Sequence, residues 1–464
     1  MGPPIPTNVL SWFVDKLEAR LSSRWLVCIV SVLKHFVNCK KIAVWFRVNV
    51  LKEMRKYLRF LKWHLYVKHQ VPQELYRSRQ AIYLKPYPVV RLRGGLSCGR
   101  RRALLQLVTE PFQEVTCQDL SKCHSNFWKS PAIVDCLVKH GFSVDVTDWR
   151  NANSPSADDY DLVIGQGPAF TASATEAIRQ IPKIFLGWGL YGGATLQNTE
   201  LRIAELYKRR GLRLYQLCDI DEGPRFATDI IYIGNGYTRR SYEDVVKVPM
   251  LWVPNPATLG VLRTTESKDF TRARRRFLWM AAYGPMRRGL DVLLEFFAEN
   301  PEFELWVCGD ISHEKDFFAF YKRELLETEN IHYVGWVDVT SDVFSQFTSQ
   351  CGFFIYPSVS DGMPGSVVNA MVAGVVPVVP DSAGMECDGL EVDIPEVSHR
   401  AIGSIVQKCA DMEEMELKVR SNMVADFAAS FYTRKAFEIQ FEKAFVQILR
   451  AHGIDSTCRS GLES

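Results

Sequence analysis

The stretch Phe353-Phe354-Ile355-Tyr356-Pro357-Ser358-Val359-Ser360-Asp361-Gly362-Met363-Pro364-Gly365-Ser366-Val367-Val368-Asn369-Ala370-Met371-Val372-Ala373-Gly374 reads as a strand, a turn and a helix in succession. Its apolar start has the unbroken hydrophobicity of a strand covered on both faces. Gly362 and Pro364 then force a tight turn, and a helix opens at about Gly365. The strand thereby delivers a carboxylate, Asp361, to that turn. Around Gly362, Met363 and Pro364, and at the helix start of Gly365, Ser366 and Val367, free backbone N–H groups are expected to face a ligand. Asn369, eight residues after Asp361, falls about two turns along the helix. Residues 375–380 form the next apolar run, a second buried strand.

Upstream, the same alternation recurs. Arg276-Phe277-Leu278-Trp279-Met280 reads as a strand, followed by a glycine-bearing loop and a helix over 290–298. Within that loop Gly284, Arg287 and Arg288 form a candidate phosphate site, because backbone N–H groups and fixed positive charge meet just before a helix. Basic residues there oppose the helix dipole unless an anion is bound; the other reading is a solvated basic helix start. Further strands are expected at 303–308 and 331–336, and closing helices at 413–429 and 434–452.

A second alternating series precedes this one. Strands are expected at 104–108, 143–147, 161–165, 183–187, 229–234 and 250–253, with a helix over 132–140 closed by Gly141. Ligands bind beyond the carboxyl ends of such strands. That places Thr109-Glu110-Pro111-Phe112, which leads towards His124-Ser125-Asn126, and the glycine loops at 165–167 and 187–193 near a substrate. His124 reads either as a group acting on an acceptor hydroxyl or as a cap for the helix that follows. Pro254-Asn255-Pro256 ends regular structure, and the residues through Lys268 have the turn content of an interdomain linker. Asp219-Ile220-Asp221 has a metal-bridging spacing but reads as a solvated turn. The twelve cysteines show neither CxxC nor ligand spacing, so no metal site is expected and the thiols read as those of a reduced, cytoplasmic protein.

A chain of 464 residues, 47% hydrophobic and 23% charged, is long enough for two folded domains and excludes a disordered chain or a polytopic membrane protein. A net charge of +3 argues against a nucleic-acid partner. The charge is unevenly spread: between Arg20 and Lys68 the only acid is Glu53. Val44, Val48, Leu51, Met54, Leu58, Leu61 and Leu65 recur at helical spacing there, with Lys41, Lys52, Lys56 and Arg59 on another face. Such a helix either lies on an anionic membrane surface, packs on the body of the protein, or extends from it. The apolar run 25–33 ends at Lys34, well short of the roughly 20 residues a span requires. Asp15 and Glu18 before it argue against a signal peptide, so the expected location is cytoplasmic, peripheral on the inner face of a membrane. The chain divides into 1–102, a basic amphipathic helical extension and linker; 103–268 and 269–430, two Rossmann-like domains; and 431–464, a last helix crossing back to the first domain, with a tail.

These motifs resemble family 4 of the group 1 glycosyltransferases, whose signature is a strand, Pro-Ser, a Glu-Gly turn and a helix with a second glutamate. Asp361 and Asn369 stand at the two glutamate positions, Arg288-Gly289 where Lys-Gly is common, and Tyr283 where an arginine is usual. Thr109-Glu110-Pro111-Phe112, His124 with Asn126, Phe277-Leu278-Trp279 and Ser366-Val367-Val368-Asn369 are similar to bacterial members associated with lipopolysaccharide and other surface glycans. The resemblance spans 103–453 and leaves the basic leader outside.

The resemblance implies an α/β protein of the GT-B fold, two Rossmann-like domains facing a cleft, with an acceptor domain before a donor domain. It implies transfer of a sugar from a nucleotide-sugar donor to a glycan or glycolipid acceptor, with retained configuration, no obligatory metal and no separate cofactor. Arg288 and the helix start at Gly365 and Ser366 then neutralise the leaving diphosphate, Asp361 holds donor-sugar hydroxyls, Asn369 the ribose, and His124 touches the acceptor. Asp361 is one methylene shorter than glutamate, Asn369 keeps hydrogen bonding without charge, and Arg288 suits a diphosphate as well as lysine does. The same departures leave open a non-catalytic protein of this fold that binds a nucleotide sugar or glycan as a scaffold at a membrane.

Overall fold

The computed structural model describes residues 89–92, 101–112, 125–175, 179–212, 214 and 221–455; His124 and the basic leader lie outside the described residues. Seven strands make the first sheet: β1 Val90–Leu92, β2 Arg101–Leu107, β3 Phe142–Asp148, β4 Leu162–Gly165, β5 Lys183–Gly187, β6 Asp229–Tyr232 and β7 Met250–Trp252. Their order is β1-β3-β2-β4-β5-β6-β7, parallel except where β1 runs against β3. The second sheet, all parallel, holds β8 Arg276–Met280, β9 Glu304–Cys308, β10 Ile331–Gly335, β11 Phe353–Ile355, β12 Val376–Val379 and β13 Val392–Asp393 in the order β10-β9-β8-β11-β12-β13. Both sheets are wound by helices, so their central strands are buried on both faces. Leu104, Leu105, Phe277, Leu278, Phe353 and Phe354 have no exposed surface. The architecture is two Rossmann-like domains.

Seven of the helices matter below: α1 Ser125–Lys139, α2 Gly192–Arg210, α3 Gly236–Glu243, α4 Leu290–Glu299, α5 Gly365–Val372, α6 Glu414–Phe431 and α7 Arg434–Ala451. Two differences from the sequence expectations have local causes. Val90–Leu92, inside the stretch read as a linker, forms the antiparallel edge strand, and β2 begins at Arg101, ahead of the boundary drawn at 103. The helix expected to open at residue 132 starts at Ser125 and carries Pro131 within it. Pro131 removes one backbone donor, but the first turns are anchored from outside, by Trp128 edge-on to Phe437 at 5.5 Å. Among the described residues no helix is long and apolar enough to cross a membrane.

The chain passes between the domains twice. After β7 it runs through 253–268 into the second domain, and after α6 it returns at Tyr432, whose carbonyl accepts a hydrogen bond from Ala257 N at 2.8 Å. α7 then packs on the first domain. Phe445 meets Phe142 at 6.1 Å, Glu442 pairs with His140 at 3.0 Å, and His452 reaches Asp229 at 2.7 Å.

A second junction is electrostatic. Arg202 and Arg209 on α2 face Asp291 and Glu295 on α4, with Asp291 fully buried and Glu295 and Arg202 each about 5% exposed. Arg202 Nη2 donates to both Asp291 oxygens at 2.8 and 2.7 Å, and Arg209 Nη2 to Asp291 Oδ2 at 2.7 Å. Arg209 Nε lies 2.7 Å from Glu295, Tyr321 donates to Glu295 at 2.6 Å, and Glu205 pairs with both arginines. Burial works against the Arg209 charge, but Asp291, Glu295 and Glu205 outweigh it and raise its pKa. Charges this buried hold only in mutual contact.

Asp291→Asn should therefore leave two arginines under-compensated and lower stability by about 3 kcal/mol. The check is the denaturant midpoint at unchanged slope. A loss below about 0.5 kcal/mol, the range of ordinary surface changes, would show that the cluster does not hold the domains.

Candidate functional site

In the second sheet the strand order reverses between β8 and β11, where a Rossmann-like sheet opens its ligand crevice. The loops leaving these two strands, 281–289 and 356–364, meet there. Gly289 has φ +70°, and a Cβ on it would lie 2.6 Å from Pro357 Cγ, so only glycine lets the loops close on each other. Val359 N donates to Arg287 O at 3.1 Å, and the buried Trp279 donates its indole N–H to Arg288 O at 3.0 Å.

This zipper brings Arg288 onto Asp361. Arg288 Nε donates to Asp361 Oδ2 at 3.0 Å and Nη2 to Oδ1 at 3.3 Å, while Nη1 donates to Tyr283 O. Tyr356 and Ser358 add hydroxyl donors to Oδ2 at 2.9 and 3.1 Å. Burial alone would push the Asp361 carboxyl up, but the charges of Arg288 and Arg287 and the hydrogen bonds from Arg288 and Tyr356 hold it below the usual carboxylate range. Asp361 is thus a fixed anion that accepts hydrogen bonds, with Oδ1 the less occupied oxygen, and Arg288 a fixed cation.

The turn that follows touches the other domain. A Cβ on Gly362 would lie 2.5 Å from Gly189 Cα, so the Gly362 turn and the loop after β5 meet backbone to backbone. Met363 takes φ +53°, rare for a residue with a side chain, and is held there by complete burial and by Asn255, whose N lies 3.1 Å from Met363 Sδ and whose Nδ2 donates to Met363 O at 2.8 Å. Pro364 is the N-cap of α5 and no side chain caps the helix, so the backbone N–H groups of its first turn are without a side-chain acceptor. Gly365 and Ser366 are half-buried and Val367 is fully buried, offering only backbone.

Two residues singled out in the sequence are engaged within the protein. Asn369 Oδ1 accepts from Thr258 N at 2.8 Å and Nδ2 donates to Thr258 Oγ1 at 3.1 Å, so its amide grips the interdomain linker. Gly284 N donates to Glu314 at 3.0 Å, which already supplies that N–H with a carboxylate. Tyr283 is 67% exposed and edge-on to His313 at 4.9 Å. Asp221 is a structural anchor rather than a solvated turn residue: it accepts from Gly167 N at 2.7 Å, Gly223 N at 2.9 Å and Thr171 at 3.2 Å.

Several cleft contacts had no signal in the sequence. Thr195 and Ser360 hydroxyls bond at 2.6 Å, Asn198 donates to Val359 O at 2.7 Å, and Asn235 donates to Asp381 O and Oδ1 at 2.9 and 2.7 Å. All three first-domain partners are ordinary helix or cap residues by sequence. Asn235 also caps α3, and its Asn-Gly beginning is the one sequence cue.

Residues 274–407, which include Arg288, Asp361 and Asn369, match the family model described as glycosyl transferases group 1. This segment, within the second domain, is similar to that family. The two domains together have the GT-B fold. Sucrose-phosphate synthase from Thermosynechococcus elongatus superposes with a TM-score of 0.55 at 12% identity, covering 76% of this chain and 100% of that one. HepE from Anabaena, solved with UDP and glucose, gives 0.48 at 13% identity, covering 76% of this chain and 99% of that one. At such identity the likeness to the synthase is one of fold. No curated protein matches the chain by sequence.

Within the matched segment, Asp361→Asn should leave the partly buried Arg288 without its counter-ion and cost about 3 kcal/mol near neutral pH. A carboxyl held low in the folded state stabilises above its ordinary pKa and loses that contribution as the pH falls through its folded value. The gap in melting temperature between wild type and Asp361→Asn should therefore narrow in acid. A gap that widened there would contradict the ion pair.

Proposed function

We propose that this protein is a glycosyltransferase that moves a sugar from a nucleotide-sugar donor to a glycan or glycolipid acceptor, of the kind used in surface polysaccharides. The observation that carries the reading is the Arg288–Asp361 pair set beside the uncapped start of α5, inside the matched group 1 domain. In this reading the donor diphosphate sits at the N–H groups of Gly365, Ser366 and Val367, with the helix dipole and the Arg288 and Arg287 charges neutralising the leaving group as the glycosidic bond loosens. Asp361 Oδ1 accepts a donor-sugar hydroxyl, and its ionised state makes it a positioning group rather than a proton donor. In this reading the sugar keeps its anomeric configuration, the donor phosphate takes the acceptor proton, and neither step calls on a metal ion. His124 keeps the acceptor role proposed for it.

One observation favours a non-catalytic scaffold of the same fold: Arg288 is bonded at all three nitrogens, and Gly284 N–H and the Asn369 amide are also engaged. A transferase must open some of these bonds when the donor enters, whereas a scaffold that holds a glycan elsewhere on the fold need not.

Thermal-shift titration against a panel of nucleotide sugars and free nucleotides separates the two. A transferase is stabilised by one donor, by about 2–3 kcal/mol at a hundredfold excess over Kd. Arg288→Ala, compared with its own unliganded baseline, loses that shift, and the donor so identified transfers its sugar with the anomeric configuration kept. A scaffold tolerates Arg288→Ala without losing its role. The basic segment 20–68 is proposed to rest on an anionic cytoplasmic leaflet. The full chain should then sediment with anionic vesicles and not with neutral ones, and release as salt is raised.

A further inference from the structure

Lys129, in the second turn of α1, is 3% exposed, and its Nζ stands 4.3 Å from the centroid of the Trp188 ring. Among the described residues this ammonium has no hydrogen bond and no carboxylate partner. Burial alone pushes it down to about 7, with no neighbouring charge contributing. α1 has no acid in its first turn, so the lysine adds to the positive end of the helix instead of offsetting it. The Trp188 indole N–H is also buried without an acceptor.

The place is built and rigid. Trp188 directly follows β5, between two glycines whose surroundings are fixed. A Cβ on Gly187 would already meet Tyr242 at 3.0 Å, and the Tyr242 hydroxyl donates to Gly189 O at 2.9 Å. Gly189 in turn lies against Gly362, the turn beside Asp361. Two buried donors from separate elements, the Lys129 amine and the Trp188 indole N–H, therefore lie beside one another on the first-domain side of the cleft, and Trp188 is one residue from the Gly189 contact with the donor turn. A buried amine whose partner is the face of one ring is costly to keep charged, and an anion beside it would offset that cost.

We propose that Lys129 and Trp188 form an anion subsite that receives a carboxylate or phosphate group carried by the acceptor sugar. The proposal rests on the transferase reading, because it takes the first domain as the acceptor side. Lys129 supplies the charge and the Trp188 N–H a second, directional donor, so the pair selects acidic over neutral sugars and fixes where the acceptor ring lies relative to Asp361.

The test is calorimetric binding of glucose, glucuronate, glucose 6-phosphate and UDP to the full chain and to Lys129→Met, Lys129→Arg and Trp188→Phe. Wild type should bind glucuronate or glucose 6-phosphate about tenfold more tightly than glucose, the stronger of the two identifying carboxylate or phosphate. Lys129→Met should bring both to the level of glucose, Trp188→Phe should lose several-fold, and Lys129→Arg should retain most of the preference. UDP should bind Lys129→Met as it binds wild type. Lys129→Met should melt no lower than wild type, since methionine can keep the contact with the Trp188 ring while removing a charge that only the ring face offsets. No anion preference in wild type, an undiminished one in Lys129→Met, a marked fall in its melting temperature, or loss of UDP binding with it would each overturn the subsite. Failure of wild type to bind UDP or any nucleotide would count instead against the transferase reading.

Discussion

Two arginines of α2 and two acids of α4 have left water, and each holds its charge only through the others. Ions with so little exposure tolerate few arrangements, because sliding one helix against the other by a single turn would strand a charge in a low-dielectric setting. The placement of one sheet against the other is discrete for that reason. The polar contacts across the cleft, Thr195 to Ser360, Asn198 to Val359 and Asn235 to Asp381, presuppose it. So does the approach of Gly362 to Gly189, where a Cβ on Gly362 would not fit.

Within that frame the second domain presents a carboxylate and a guanidinium that satisfy each other. Asp361 takes four donors and Arg288 is fixed at every nitrogen, so neither wanders between rotamers before a ligand arrives. Preorganised charge costs no rearrangement when a partner charge develops beside it. Asn369, by contrast, spends its amide on Thr258 and couples the helix behind the turn to the linker that joins the domains.

The second domain was largely legible from sequence. β8 and the starts of α4 and α5 fall where apolar runs, Gly289 and the Gly-Met-Pro turn put them, because these signals are local. What escaped was non-local. α2 begins with two glycines and is studded with charge, and nothing in that pattern tells a solvated arginine from one that meets an aspartate 89 residues away. Lys129 looks like any lysine on a helix until the Trp188 loop covers it. The opening of α1 was misplaced because Pro131 is a strong local breaker, overruled here by packing against a helix near the end of the chain. The pairing of Arg288 with Asp361 lay between these cases: both residues were singled out, but their contact depends on two loops from neighbouring strands closing over Gly289.

That late helix has a consequence for how the protein is made. α7 supplies Phe437, Phe441 and Phe445 to the first domain, although some 180 residues of the second domain are translated in between. The first sheet therefore emerges from the ribosome with an aromatic flank around Trp128 and Phe142 still bare, and cannot finish until the second domain has been synthesised. The two domains differ in their dependence on the ribosome: the second can complete from contiguous chain, while the first waits for α7.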